Sequence, residues 1–127
     1  MTNATPSRIL IVEDEAVLSE AYSMLLRQAG YEVAVAADGK QALEKAEECN
    51  PQLILLDLRM PVMTGIDFLR AYDLTTKHKG VKVIVFSNYD MQAEIDEAYK
   101  LGADRYILKA WASPREILDL VETTLVS

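Results

Sequence analysis

The sequence contains few of the residues that define several large classes of protein. Among its 127 residues there are one cysteine, Cys49, and one histidine, His78. A single cysteine cannot form an internal disulfide, and one histidine without further ligands nearby does not make a structural zinc site. We therefore interpret Cys49 as a small apolar residue near the end of a helix, and we assign no chemistry to His78.

Long apolar runs are also missing. Runs such as residues 53–56 are far shorter than the ~20 residues that a helix needs to span a bilayer. Residues 1–7 have neither a basic start nor an apolar stretch, so they do not resemble a secretory signal. We predict that residues 1–7 are a disordered lead-in, that residues 8–127 form a single domain, and that the protein is cytoplasmic and does not bind membranes.

Positive charge is scarce as well. Lys and Arg number 13 against 20 Asp and Glu, which gives a net charge of −7. The run Lys77-His78-Lys79 is the one basic cluster, and we interpret it as a solvated loop. Proteins that bind nucleic acids usually carry a basic patch, so the sequence predicts no nucleic-acid binding by this chain.

Strand-like and helix-like patterns alternate five times along the chain. The predicted strands cover residues 8–12, 32–36, 53–56, 83–86 and 105–108. Apolar residues at helical spacing follow each strand, which indicates five βα units. The pattern predicts an α/β fold, a doubly wound (βα)5 flavodoxin-like sandwich whose five-stranded parallel sheet has the strand order 2-1-3-4-5.

Capping signals define two of the helices. In Ser113-Pro114-Arg115-Glu116 an N-cap serine, a proline at the first helical position and a capping-box glutamate occur together. The first helix should end at Gly30. It is predicted to turn five residues inward: Leu18, Ala21, Tyr22, Leu25 and Ala29.

Polar residues follow four of the five predicted strands. Glu13 and Asp14 follow the first strand, Asp57 the third, Ser87 the fourth and Lys109 the fifth. In a parallel sheet the carboxyl ends of the strands lie at one edge, where ligands bind. The sequence therefore predicts a pocket of three carboxylates, one hydroxyl and one ammonium. Because Lys109 and Ser87 should point into this polar pocket rather than into the core, replacing either with alanine is expected to change thermal stability little.

Such a pocket suits a divalent metal and a phosphoryl group. Two carboxylates ~4 Å apart repel by roughly 4 kcal/mol at an effective dielectric of about 20, so the cluster should bind a cation. Mg²⁺ favours carboxylates, water and phosphate oxygens. Asp57 is then a candidate nucleophile that forms an aspartyl phosphate. One such residue alone is more often a helix cap or a turn residue, but their joint occurrence at four strand ends favours a site.

The sequence resembles the receiver domain of two-component response regulators, from residue 8 to about residue 125, and its length is similar to that of a stand-alone chemotaxis regulator. The matching pieces are Ile9-Leu10-Ile11-Val12-Glu13-Asp14-Glu15, Leu55-Leu56-Asp57-Leu58-Arg59-Met60-Pro61, Thr64-Gly65, the strand ending in Ser87, Gly102-Ala103-Asp104 and Tyr106-Ile107-Leu108-Lys109.

The resemblance implies that Asp57 is the phosphoacceptor, taking its phosphoryl group from a sensor histidine kinase or a histidine phosphotransfer protein. It implies that Asp14, Asp57 and the backbone carbonyl of Arg59 bind Mg²⁺ directly, and that Glu13 acts through a metal-bound water. The protein would not be an enzyme beyond catalysing its own phosphorylation and dephosphorylation.

The resemblance also implies a switch. Lys109 would pair with the phosphoryl oxygens, and Ser87 would hydrogen-bond the phosphoryl group and move toward it. Tyr106 would turn inward in response and alter the face made by the fourth helix, fifth strand and fifth helix. That face would bind a second copy of the chain or a separate effector.

Three residues depart from the commonest pattern of the family. Glu13 stands where aspartate is common, Asn88 follows Ser87 where a small residue is usual, and Ala110 replaces the proline after the lysine. A cis bond before a residue other than proline costs ~2.5–4 kcal/mol, so we predict a trans Lys109–Ala110 bond. These departures keep one alternative open: a phosphorylation-independent pseudo-receiver that serves as a docking module.

Two other activities are disfavoured. The chain has no Gly-x-Gly-x-x-Gly and no Walker lysine loop, so a nucleotide-binding protein of similar fold is not supported. A phosphatase with an aspartate nucleophile usually has a second aspartate two residues later. Here that position is Arg59, which cannot act as a general acid.

Overall fold

The computed structural model describes residues 6–88 and 91–126. Within these residues five strands alternate with five α-helices: β1 (Arg8–Val12), α1 (Ala16–Gln28), β2 (Glu32–Ala36), α2 (Gly39–Cys49), β3 (Leu53–Asp57), α3 (Gly65–Tyr72), β4 (Lys82–Ser87), α4 (Gln92–Lys100), β5 (Arg105–Leu108) and α5 (Pro114–Leu125). The strands form one parallel sheet in the order β2-β1-β3-β4-β5, which confirms the predicted fold class and strand order.

The core lies on both faces of this sheet. Because successive side chains of a strand point to opposite faces, Leu10 and Ile54 pack under α2, α3 and α4, whereas Ile9 and Leu53 pack under α1 and α5. All five residues of β3 are buried. The apolar run that predicted a central strand is therefore explained by helices on both sides.

The inward face of α1 differs from the prediction. Tyr22 is buried and packs edge-on against Phe86, with ring centroids 5.5 Å apart. Ala21 and Ala29 are exposed, however, and two serines are buried in their place. Ser19 satisfies its hydroxyl by donating to the Ala16 carbonyl, whereas the buried Ser23 hydroxyl has no hydrogen-bond partner among the described residues.

Residues 1–5 of the predicted lead-in lie outside the described residues. Ser7 already accepts a backbone hydrogen bond from Glu32, so pairing with the neighbouring segment begins before β1 itself. The predicted capping box is confirmed, since Ser113 and Glu116 each accept the other's backbone N–H. None of the helices in the described part of the chain combines the length and the apolar character that a membrane span requires.

His78 has a packing role that its sequence context did not indicate. Its ring stacks on Tyr72 with centroids 3.7 Å apart, and Nδ1 contacts the Tyr72 carbonyl. Its flanking lysines are exposed, as expected for a solvated loop.

The start of α3 is positioned by a close approach at Gly65. A Cβ at this position would lie 2.5 Å from the carbonyl oxygen of Asp57 and 2.7 Å from Cα of Leu58. The Gly65 N–H also donates to the Leu58 carbonyl at 3.0 Å. Thr64 caps the helix by accepting from the Asp67 N–H. The absence of a side chain at Gly65 therefore lets the loop after β3 fold tightly over the end of that strand.

Candidate functional site

The carboxyl ends of two neighbouring strands, β1 and β3, bring acidic side chains together. One carboxylate oxygen from each of Glu13, Asp14 and Asp57 lies within 4.8 Å of the other two. Asp57 is 3 % exposed and Glu13 is 1 % exposed, whereas Asp14 is open to solvent. Asp57 is far from Glu13 and Asp14 in the sequence, and the three residues meet because the parallel strands end at one edge.

Lys109 reaches this cluster from the end of β5. Its Nζ lies 2.9 Å from Asp57 Oδ2 and 2.6 Å from Glu13 Oε1. The contact with Asp57 is a hydrogen bond, whereas the contact with Glu13 is an ion pair without hydrogen-bond alignment. The second oxygen of each acid accepts a backbone N–H, from Arg59 to Asp57 and from Glu15 to Glu13.

Ser87 ends β4 beside this cluster. Asp57 is paired in register with Phe86, and Ser87 with Leu108, so Ser87 lies one position beyond Asp57 on the neighbouring strand. Ser87 is 1 % exposed, and the Lys109 side chain is 6 % exposed. The expectation that alanine at either position would behave as a surface change therefore lacks its physical basis, because both side chains are buried.

Burial dominates the electrostatics of the pocket. It raises the pKa of Asp57 and of Glu13 above their ordinary values, although Lys109 and the backbone N–H groups act in the opposite direction. Burial alone would lower the pKa of Lys109, but its close contacts with the carboxylates of Glu13 and Asp57 outweigh that effect and raise the pKa. One ammonium thus offsets only part of the cost of holding these carboxylates away from water.

The donor set fits a hard divalent cation such as Mg²⁺. Three carboxylates face one ammonium, so an added positive charge would relieve the remaining repulsion. The candidate ligand atoms of these acids are all carboxylate oxygens, which Mg²⁺ prefers. Because Asp14 is exposed to solvent, there is room beside it for the waters that a bound Mg²⁺ retains. The main chain at Arg59 lies beside the pocket, since the Arg59 N–H donates to Asp57 Oδ1 at 3.1 Å.

Tyr106 lies in the middle of β5, three residues before Lys109. It is half-buried, pairs in register with Val85, and packs against the core layer that α2, α3 and α4 cover.

After β5 the chain makes one turn of 3-10 helix over Lys109–Trp111, closed by a bond from the Ala112 N–H to the Lys109 carbonyl. The described residues contain no cis peptide bond, which confirms the trans Lys109–Ala110 prediction.

The side chain of Arg59 belongs to the surroundings of the site, although the sequence interpretation used only its carbonyl. Its Nη2 donates to Glu94 Oε1 at 3.0 Å and lies 3.1 Å from Met91 Sδ. No local spacing rule indicates this contact, because the partners are 35 residues apart and belong to different βα units.

Comparisons with known proteins agree with this arrangement. The family described as "Response regulator receiver domain" matches residues 9–122. The chain is 36% identical to the DNA-binding response regulator MtrA of Mycobacterium tuberculosis over 118 residues, which cover 93% of this chain and 50% of MtrA. It is also 36% identical to the chemotaxis protein CheY of Thermotoga maritima over 111 residues, which cover 87% of this chain and 91% of CheY.

The chain therefore spans about half the length of the MtrA proteins that it matches. Among solved structures, a CheY-like receiver domain protein from Methanospirillum hungatei superposes with a TM-score of 0.88 at 32% identity, covering 96% of this chain and 95% of that one. Vibrio cholerae CheY4 superposes with a TM-score of 0.86 at 29% identity, covering 94% and 99%. The chain belongs to the response regulator receiver domain family.

Proposed function

We propose that this protein is a phosphorylation-dependent switch that accepts a phosphoryl group on Asp57. The donor is the phosphohistidine of a sensor histidine kinase or a histidine phosphotransfer protein. A carboxylate oxygen of Asp57 forms the new P–O bond, the P–N bond breaks, and its electron pair returns to the imidazole. The observation that carries the proposal is the position of Asp57, which lies between the Lys109 ammonium and the Arg59 N–H in a buried acidic pocket.

Each neighbouring side chain has a role that follows from its place. Lys109 lies 2.9 Å from the accepting carboxylate, so its charge can follow the oxygens of the transferred group. The Ser87 hydroxyl, at the end of the adjoining strand, donates to a phosphoryl oxygen. Both groups stabilise charge that is absent from the resting pocket.

The acidic cluster would hold the cation that this reaction needs. Asp14, Asp57 and the backbone carbonyl of Arg59 would bind Mg²⁺ directly, and Glu13 would act through a water. When bound, Mg²⁺ neutralises charge on the phosphoryl oxygens. Without a cation the three carboxylates would repel an incoming phosphate, so phosphorylation should depend on the metal.

The output surface is the face made by α4, β5 and α5. Tyr106 connects this face to the pocket, because it lies on β5, three residues before Lys109, and its side chain is half-buried. The partner that binds this surface is a second copy of the chain or a separate effector. Residues 8–127 act as one receiver domain in this proposal.

Phosphorylation of the purified protein tests the proposal. The protein is incubated with acetyl phosphate, with Mg²⁺ or with EDTA, and the added mass is measured on the intact chain. We expect labelling with Mg²⁺ only, none in Asp57→Ala, and normal labelling in Asp119→Ala, which removes an exposed aspartate of α5. Labelling of Asp57→Ala, or equal labelling in EDTA, would refute the proposal.

The same experiment addresses the pseudo-receiver alternative. Asn88 and Ala110 both line a groove of about 350 Å³ beside Lys109, and neither residue is the common one in the family. A folded wild-type protein that takes up no phosphoryl group in Mg²⁺ would support a docking module that works without phosphorylation.

A further inference from the structure

The helix α4 is weakly anchored to the rest of the protein. Of its residues, all of which the structure describes, only Ala98 is buried. Met91 at its N-cap supplies no side-chain hydrogen bond to the first turn. An element with few buried contacts moves at low free-energy cost, so polar contacts at its surface influence where it rests.

Two ion pairs connect α4 to the side of the protein that carries α3. Glu94 accepts from Arg59 Nη2 at 3.0 Å, and Glu97, almost one turn later, accepts from Arg70 Nη2 at 3.2 Å. The glutamate side chains are 31 % and 32 % exposed. Both pairs are partly solvated, so each contributes little to global stability, and their main effect is on the position of the helix.

Only one of these pairs is connected to the phosphorylation pocket. The backbone N–H of Arg59 donates to Asp57 Oδ1 at 3.1 Å, and the guanidinium of the same residue binds Glu94. One residue thus spans the distance from the accepting carboxylate to the first turn of α4. Arg70 belongs to α3, and its second bond is to Asp67 on the same helix.

Phosphorylation changes what Arg59 is bonded to. When Asp57 forms the P–O bond its own carboxylate charge is lost, so the bond from the Arg59 N–H is no longer charge-assisted and weakens. The phosphoryl group brings about −1.5 to −2 charges into the pocket, which compete with Glu94 for the guanidinium. Both changes alter the direction in which the Arg59 side chain is held.

We propose that Arg59 is a positioning residue that couples the phosphorylation state of Asp57 to the first turn of α4 through its bond to Glu94. This coupling rests on the proposed function and is additional to the route through Ser87 and Tyr106. It uses no group of the α4–β5–α5 surface other than α4 itself.

The test compares Glu94→Gln with the matched variant Glu97→Gln. Each protein is phosphorylated with acetyl phosphate and Mg²⁺, the labelled fraction is taken from intact mass, and amide chemical shifts are measured. In the wild type we expect the amides of Ile95 and Asp96 to shift on phosphorylation. Glu94→Gln should reduce that shift per labelled molecule roughly two-fold or more, and Glu97→Gln should not.

Further readouts separate coupling from a structural effect. The two variants should have equal melting temperatures, the Tyr106 amide should respond normally in both, and Glu94→Asp, which keeps a carboxylate, should retain the Ile95 response. The coupling is overturned if α4 does not respond in the wild type, if Glu94→Gln responds fully, or if Glu97→Gln loses as much. Absence of the mass label in the wild type rejects the proposed function itself, together with the coupling.

Discussion

The ammonium of Lys109 and the carboxylate of Glu13 form an ion pair inside the protein, with Nζ and Oε1 2.6 Å apart and the two side chains 6 % and 0 % exposed. The same ammonium lies 2.9 Å from Asp57. In the absence of a metal, Lys109 is therefore the main cation that compensates two buried acids. Its removal leaves both acids without that partner.

Lys109→Met should consequently destabilise the metal-free protein. Breaking a buried ion pair by removing one partner typically costs ~3–5 kcal/mol. We expect a smaller loss here, about 2 kcal/mol or more, because the neighbouring Asp14 is exposed and water next to the pocket can partly solvate the unpaired acids. Saturating Mg²⁺ should restore much of the loss by replacing the missing charge. Denaturant unfolding in EDTA and in Mg²⁺ measures both effects.

Lys100→Met is the control for that experiment, because Lys100 is an exposed residue at the end of α4. Its replacement should change the free energy of unfolding by less than about 0.5 kcal/mol in either buffer. If Lys109→Met were as mild as Lys100→Met in EDTA, the buried ion pair would not be a feature of the folded protein in solution.

Asp57 should make stability depend on pH in the metal-free protein. Burial raises its folded-state pKa above the ordinary value of 3.8, so in the window between these two pKa values the folded state binds more protons than the unfolded state. The free energy of unfolding then falls as pH rises through that window. Wild type should therefore lose stability relative to Asp57→Asn as pH is raised from ~4 to ~7.

Thermal melting of the two proteins in EDTA across this range tests the sign. At neutral pH Asp57→Asn should melt higher than wild type, and the difference should shrink as pH is lowered toward the ordinary value of 3.8, because the raised pKa of Asp57 means that the folded carboxyl takes up its proton above that value. Mg²⁺ should favour wild type, because a ligand that binds the folded state stabilises it. If the melting temperature of wild type instead rose relative to that of Asp57→Asn as pH increased without metal, the raised pKa of Asp57 would be contradicted.

The parallel fold explains why so much of the site was predictable from sequence. The run Leu53 to Leu56 is apolar because β3 is covered on both faces, and such runs mark strand ends clearly. Once the strand ends are known, the topology alone places Glu13, Asp57 and Lys109 at one edge. No information about side-chain packing is needed for that step.

Other features depend on tertiary packing that local patterns do not contain. The rotation of α1 buries Ser19 rather than Ala21, because a small hydroxyl that bonds its own helix fits the interface as well as a methyl group does. The Arg59–Glu94 pair joins two units that no periodicity relates. The burial of Lys109 follows from its reach back to Glu13, which a strand pattern cannot show.

Gly65→Ala should disturb the fold and the site together. The added Cβ would lie 2.5 Å from the Asp57 carbonyl oxygen, so the main chain next to the phosphoacceptor must shift. Overpacking of this kind costs about 1–3 kcal/mol, and displaced reacting groups lower the rate of phosphoryl transfer. We expect both a lower free energy of unfolding and slower labelling by acetyl phosphate in Mg²⁺.

Gly80→Ala separates these effects. Gly80 has a φ of +93° but no atom within 4 Å of an added Cβ, so alanine there is strained only by its backbone conformation. It should lose ~1–2 kcal/mol without slowing phosphorylation. Equal labelling rates in Gly65→Ala and Gly80→Ala would show that the close approach at Gly65 does not position Asp57.

Val62 should be replaceable with a gain in stability. It has a φ of 67° although it is β-branched, and the Met63 N–H closes a tight turn around it by donating to the Pro61 carbonyl. Such a conformation costs ~1–3 kcal/mol in a residue of this shape, while asparagine tolerates it. The Val62 side chain is 79% exposed, so little packing is lost, and Val62→Asn should raise the free energy of unfolding by about 1 kcal/mol.

Val17→Asn, at an 81% exposed position in α1, is the control and should change stability by less than about 0.5 kcal/mol, because valine and asparagine have similar helix propensities. Chemical denaturation of the two variants decides the point: a Val62→Asn protein no more stable than wild type would mean that the turn after β3 is relaxed in solution.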